Sequence, residues 1–213
     1  MVSNLITIGD SWPAGAELKN PKLLSFPALI GERLHIKSIN LSVSSTSTDQ
    51  ALYTLMNASL PICNNTLVLF CLTGISRSMN IEDDTPKEIH PTLTTPASKA
   101  YYKYIHSNQL DNFNRIRNIL TAQHFCQKVG CKILFVNNWD QTPGHRVIDK
   151  SLFYSKTLTE ILNVKLDDGN YDSDLSKHEY ITPNLCHPNV NGHSIIAEEL
   201  SNWIKEKLNE PVS

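Results

Sequence analysis

The chain has 213 residues, 40% hydrophobic and 19% charged, and its 19 Lys and Arg against 21 Asp and Glu leave a net charge of −2. That size and apolar content suit one domain burying roughly 70% of its unfolded surface, which excludes a wholly disordered chain and any need for disulfides or metal to hold the fold. The near-balance of charge argues against a protein that grips nucleic acid or a membrane through bulk positive charge.

Asn4 to Gly9 (NLITIG) reads as a short buried strand ending in Gly-Asp-Ser. Phe26 to Leu34 carries Phe26, Leu29, Ile30 and Leu34 on one helical face. Ile36 to Leu41 is a second strand, and Asp49 to Leu60 a second helix, capped from the run Ser44 to Thr48. Thr66 to Leu72 (TLVLFCL) is continuous and apolar, as strands are when both sheet faces are covered. From Arg77 to about Asn108 the pattern breaks around Pro86, Pro91 and Pro96. This stretch reads as an insertion or lid at 77–108, with one short helix over Ala97 to Ile105. Leu110 to Val129 is a long amphipathic helix stopped by Gly130, followed by a fourth strand, Cys131 to Val136. Gln141 to Gly144 is a turn, Val147 to Asn163 contains a helix, and Asp167 to Ser176 is acidic and irregular. Asn191 to Leu208 is a final amphipathic helix with Ile195, Ile196, Leu200, Ile204 and Leu208 inward.

Strands and helices alternating in this way imply βαβ crossovers: a single α/β domain, 1–213, with helices on both faces of a parallel sheet. Such sheets place their ligands beyond the carboxyl ends of the strands. Chemistry is therefore expected in Gly9-Asp10-Ser11, Ser42 to Thr46, Thr73 to Arg77 and Asn137 to Asp140. No apolar run reaches the ~18 residues of a transmembrane span. The apolar stretch Leu5 to Ile8 is short and no Lys or Arg precedes Lys19, so no secretory leader and a cytoplasmic location are expected. The five cysteines are then expected as thiols. Cys126-x4-Cys131 has no second ligand pair at finger-like spacing, so neither metal nor cofactor is expected.

Two blocks at opposite ends of the chain belong together. Gly9-Asp10-Ser11 follows the first strand, and His187-Pro188-Asn189-x-x-Gly192-His193 opens the last helix. The pattern resembles the SGNH (GDSL) hydrolase superfamily. The resemblance implies a flavodoxin-like, three-layer α/β/α sandwich around a mostly parallel, five-stranded sheet. It also implies hydrolysis of carboxylic esters, acetyl groups on sugars among them, through an acyl-serine intermediate. Carried over by position, Ser11 is the nucleophile and His187 the general base. The chemistry agrees: a serine hydroxyl needs a base to take its proton, and imidazole can take it and return it to the leaving group.

The remaining family positions fall on residues of other types. Ser45 stands where the family places a glycine whose N–H faces the oxyanion. Ser76 and Arg77, in Thr73-Gly74-Ile75-Ser76-Arg77, stand where it has Asn and Asp. With Asp10 they are the expected oxyanion and substrate-binding residues. Ser76 can donate a shorter hydrogen bond, and Arg77 can stabilise an oxyanion, grip an acidic substrate group or sit in a surface salt bridge. Asn184 stands where the family has the Asp that holds the histidine. An amide oxygen can hold the ring, or Asp172 or Asp174 can replace it, or activity is lost. Tyr101, Tyr102, Tyr104 and His106 line a sugar site or, more simply, pack a helix onto the body. His193 is expected to help open the final helix. The expected partner is a small-molecule or glycan ester, with neither nucleic acid nor membrane involved. The competing reading is an inactive module of this fold that binds a glycan or a protein. A flavodoxin-like nucleotide domain lacks the Gly-rich loop it needs after the first strand.

Overall fold

The computed structural model describes residues 2–60, 62–82, 85–164, 178–182 and 187–210. In chain order, the first half contains β1 (Asn4–Ile8), α1 (Ser11–Ala14), α2 (Pro21–Leu24), α3 (Phe26–Leu34), β2 (Lys37–Asn40), α4 (Thr48–Met56) and β3 (Thr66–Leu72). The second half contains β4 (Ser78–Glu82), β5 (Thr85–Ile89), α5 (Pro96–Tyr104), α6 (Asn108–Val129), β6 (Lys132–Asn137), α7 (Leu158–Ile161) and α8 (Val190–Asn209).

The central sheet is parallel, in the order β2-β1-β3-β6. Every residue of β3 is buried, and the period of two sends its side chains alternately to two cores. Leu67, Leu69 and Cys71 join Leu5, Leu134 and Val136 against α3, α7 and α8. Val68, Phe70 and Leu72 join Ile6, Ile8, Ile133 and Phe135 against α4 and α6. This is the expected sandwich of helix, sheet and helix. Its parallel register brings Ile8, Asn40, Leu72 and Asn137 to one edge, where the loops that carry the site begin.

The sheet has four strands where five were expected. At the outer edge of β6 the chain makes a single parallel bridge, Phe135 to Phe153, and the Tyr154 N–H donates to the Phe135 carbonyl at 3.0 Å. The two phenyl rings stack at 4.8 Å. A 3₁₀ turn at Lys150–Leu152 precedes this bridge, and Thr157 soon caps α7, so no ladder develops. The helix expected within Val147 to Asn163 is the short α7, because Phe153 is held at the sheet edge in the middle of that stretch.

The 77–108 stretch contains more structure than one helix. β4 and β5 form an antiparallel hairpin in which Pro86 sits opposite Ile81. Proline hides a strand in sequence, but both strands of an isolated hairpin are edges, where a missing N–H costs little. α5 follows, with Tyr101 buried, and the Tyr102 hydroxyl donates to the Ser76 carbonyl at 2.5 Å. These tyrosines pack this segment onto the body, while Tyr104 is exposed. Among the described residues, no helix is long and apolar enough to cross a membrane.

Candidate active site

Ser11 is the first residue of α1 and lies directly beyond the end of β1, with 7% of its surface exposed. The turn that presents it is tight. A Cβ on Gly9 would stand 2.7 Å from both Cys71 Cβ and Pro13 Cγ, so only glycine fits between β1 and α1. Asp10 caps α1 by accepting the Trp12 N–H at 3.2 Å. Asp10 is fully buried, and its oxygens also accept from Asn138 Nδ2 at 2.8 Å and Arg77 Nη1 at 3.3 Å. Burial raises the Asp10 pKa above the ordinary carboxylate value, while Arg77, the Trp12 N–H and Asn138 pull it back.

Arg77 leaves the end of β3 toward this carboxylate. Its guanidinium, 10% exposed, lies 5.7 Å from the centre of the Trp139 ring. The turn that carries Arg77, closed by Arg77 N–H to Gly74 O, is fixed from outside. Asp140 Oδ2 accepts the Ile75 N–H at 2.9 Å and Arg115 Nη1 at 3.1 Å. Arg115 is itself buried in α6 and also donates to Thr73 O and to Asn137 Oδ1. One arginine thus ties the ends of β3 and β6 together beneath the turn. Ser76 is half-buried in that turn, its carbonyl taken by Tyr102. The β4–β5 hairpin adds Glu88, whose pKa burial pushes up to about 7 against the pull of Arg77.

Ser45 sits on the neighbouring loop. Leu41 N–H to Thr7 O and Val43 N–H to Gly9 O carry the pairing with β1 past the end of β2. Ser45 then turns the chain at φ 67°, in the left-handed region where glycine is at ease. The backbone keeps the conformation a glycine would take, although the residue is serine.

His187 lies just before α8. Its Nδ1 is 3.1 Å from Glu17 Oε2, and Thr182 Oγ1 donates to the same oxygen. Asn189 caps α8 by accepting the Gly192 N–H at 3.0 Å, and a Cβ on Gly192 would collide with the Tyr180 carbonyl. Asn184, Asp172 and Asp174 lie outside the described residues.

His193 has a different role from the one expected. It does not cap its own helix. Its Nδ1 accepts the Phe26 N–H at 3.1 Å and so closes the start of α3, where Ser25 makes no side-chain cap. The ring is fully buried, and burial, then the nearby His187, lowers its pKa from 6.5 to about 3. The unfolded chain therefore takes up a proton that the folded chain refuses. Stability conferred by the neutral ring is present above pH 6.5 and is lost as pH falls toward 3, by up to about 1.4 kcal/mol per unit. His193→Asn, which keeps an acceptor for the Phe26 N–H, should show a shallower loss in denaturant titrations between pH 6.5 and 4.

Sequence reasoning missed Glu17, Asn138, Asp140 and Arg115. Asn138 and Asp140 fall in a stretch that the strand-end argument marked, and Arg115 is a charge on the inner face of an amphipathic helix. Glu17 carried no such signal. Among the described residues, no three His, Cys, Asp or Glu side chains gather as a metal-binding set, and Cys63, Cys71, Cys126 and Cys131 are free thiols.

No family model matches the chain, and no curated protein matches its sequence. Solved structures do match in fold. A member of the lipolytic G-D-S-L family from Veillonella parvula superposes at TM-score 0.51 with 11% identity, covering 96% of this chain and 99% of the other. A psychrotrophic esterase from Pseudoalteromonas sp., inhibited by monoethylphosphonate, superposes at 0.53 with 17% identity, covering 98% and 100%. An acetyl xylan esterase from Butyrivibrio proteoclasticus superposes at 0.52 with 10% identity, covering 97% of this chain and 64% of its own. The chain has the fold of the SGNH (GDSL) hydrolases.

Proposed function

We propose that this protein is a serine hydrolase of carboxylic esters, with Ser11 as nucleophile and His187 as general base. The observation that carries the reading is one of position. Within this fold, Asp10-Ser11 stands at the carboxyl end of β1, and His187, at the entry to α8, meets Glu17 at 3.1 Å, six residues along the chain from Ser11. With Nδ1 of His187 against Glu17, Nε2 is the nitrogen left for the reaction.

In the first half-reaction Ser11 Oγ attacks the ester carbonyl carbon, and its proton passes to Nε2. The tetrahedral oxyanion is met by the backbone N–H groups of Ser11 and Ser45 and by the Ser76 hydroxyl. The C–O bond to the alcohol then breaks, and the imidazolium returns the proton to the departing oxygen. In the second half-reaction water gives its proton to Nε2 and attacks the acyl-serine. The C–O bond to Ser11 then breaks, the imidazolium returns its proton to Ser11 Oγ, and the acid leaves. Asp10, Asn138 and Arg77 hold the base of α1, and Arg115 with Asp140 holds the Ser76 turn, which supports donors set in advance of substrate at those two positions.

The favoured substrate is an O-acetyl ester of a carbohydrate or another small polar alcohol. The likeness to an acetyl xylan esterase supports that choice, as do the polar groups on the surrounding loops. Turnover of p-nitrophenyl acetate should exceed that of the octanoate ester by at least about tenfold in kcat/KM. Acetate should also be released from acetylated xylo-oligosaccharide. A preference for octanoate would overturn the acetyl assignment. Binding of the oligosaccharide with no release of acetate, read by calorimetry, would replace the hydrolase with the binding module.

A further inference from the structure

A serine–histidine pair needs something on the far nitrogen of the ring. That group fixes the tautomer and orientation, and a carboxylate there also balances the imidazolium formed in the transition state. The position expected to supply it holds Asn184, a neutral amide that can orient but cannot balance charge.

The structure places a carboxylate there from another part of the chain. Glu17 Oε2 lies 3.1 Å from His187 Nδ1, and the two side chains are only 17% and 14% exposed. The contact spans 170 positions of sequence. The backbone that delivers it is specific. Gly15 closes α1 at φ 74°, the Ala16 N–H returns to Ser11 O, and Glu17 itself takes φ 67°. Two left-handed residues within three positions reverse the chain, so Glu17 comes back toward α8 only six residues after Ser11. A glutamate seldom occupies this conformation, and nothing in the turn itself asks for one.

Thr182 completes the arrangement. Its hydroxyl donates to Glu17 Oε2 and accepts the His187 N–H at 3.3 Å, while its own N–H donates to His187 O at 2.7 Å. Glu17, Thr182 and His187 therefore form a closed ring that fixes both the carboxylate and the imidazole. Among the described residues, Asp10, from the end of β1, and His193, from α8, are electrostatically linked to His187. Asp10 is already engaged by Arg77, Asn138 and the Trp12 N–H, and His193 by the Phe26 N–H.

We propose that Glu17 is the positioning acid of this site, holding Nδ1 of His187 and balancing its charge in place of the family's aspartate. Nucleophile and acid then lie on one short segment after β1, and the base alone comes from the end of the chain. This inference rests on the hydrolase reading above.

Glu17→Gln tests it, because the amide can still accept from Thr182 but carries no charge. With p-nitrophenyl acetate, kcat should fall about 10²–10⁴-fold with KM unchanged and the thermal midpoint preserved. The low-field proton resonance of a histidine Nδ1–H held by a carboxylate should be present in the wild type and lost in the variant. Should Glu17→Gln fail to fold, Thr182→Val provides the second variant. It removes one hydrogen bond to the carboxylate, so kcat should fall about tenfold. Wild-type kcat in Glu17→Gln, or in Thr182→Val where that is the variant read, overturns the proposal. So does loss of turnover in Asp172→Ala or Asp174→Ala with Glu17→Gln intact. The resonance separates this failure from that of the hydrolase reading. Esterase activity indifferent to Glu17 removes the role of Glu17 and leaves the hydrolase. A Glu17-dependent resonance in a protein with no esterase activity removes the hydrolase, and with it any catalytic part for Glu17.

Discussion

Ser11→Ala should lower kcat toward p-nitrophenyl acetate by about 10⁴-fold or more, and His187→Ala by nearly as much. In the proposed mechanism the two residues act on one proton, so their losses should not multiply. The double variant should be no slower than the worse single one, because without the nucleophile the base has nothing to activate. KM should change little, since neither side chain is placed to bind the alcohol part of the ester. Multiplying losses would mean that the two residues serve separate steps, and equal activity in all four proteins would remove Ser11 from the chemistry.

Arg77→Met should destabilise the fold by about 3–5 kcal/mol, seen as a lowered denaturation midpoint at pH 7. Its partner Asp10 is fully buried, and the guanidinium is only 10% exposed. Among the described residues, removing the cation leaves the buried carboxylate with two neutral donors, the Trp12 N–H and Asn138, and no ion pair in contact. The partner substitution makes the cause visible. In an Asp10→Asn background the same Arg77→Met change should cost under about 1 kcal/mol, because no charge is left behind. The sequence offered Arg77 as an oxyanion ligand, as a grip on an acidic substrate group or as part of a surface salt bridge; the ion pair it makes, with Asp10, is buried. Any effect of Arg77 on rate should then accompany loss of the Ser11 turn's rigidity. A midpoint unchanged in Arg77→Met would show that Asp10 is held without it.

What could be read from the sequence was what depends on local pattern. β3 was clear because six consecutive apolar residues, Leu67 to Leu72, between two helical periods read as a strand covered on both faces. The Gly-Asp-Ser turn was clear because its close packing excludes any side chain at Gly9. The cap of α4 stood in the sequence within the run Ser44 to Thr48, and Ser47 fills it. Features that depend on tertiary partners were hidden. The hairpin β4–β5 was masked by Pro86, and the would-be fifth strand reduces to one bridge at Phe153. His193 looked like part of the last helix's start, yet its ring serves the first turn of α3. Glu17 was unreadable for the same reason: an exposed-looking acid in a polar turn acquires meaning only when α8 is packed beside it.

The central claim is that Ser11 is a nucleophile activated by His187, and covalent labelling tests it most directly. The folded protein should be incubated with a fluorophosphonate at pH 7.5 and its peptides analysed by mass spectrometry. A single phosphonyl adduct should appear on Ser11 in the wild type, with labelling slowed at least about 10³-fold in His187→Ala. An adduct on another residue, or none on Ser11 in the folded wild type, would contradict the account.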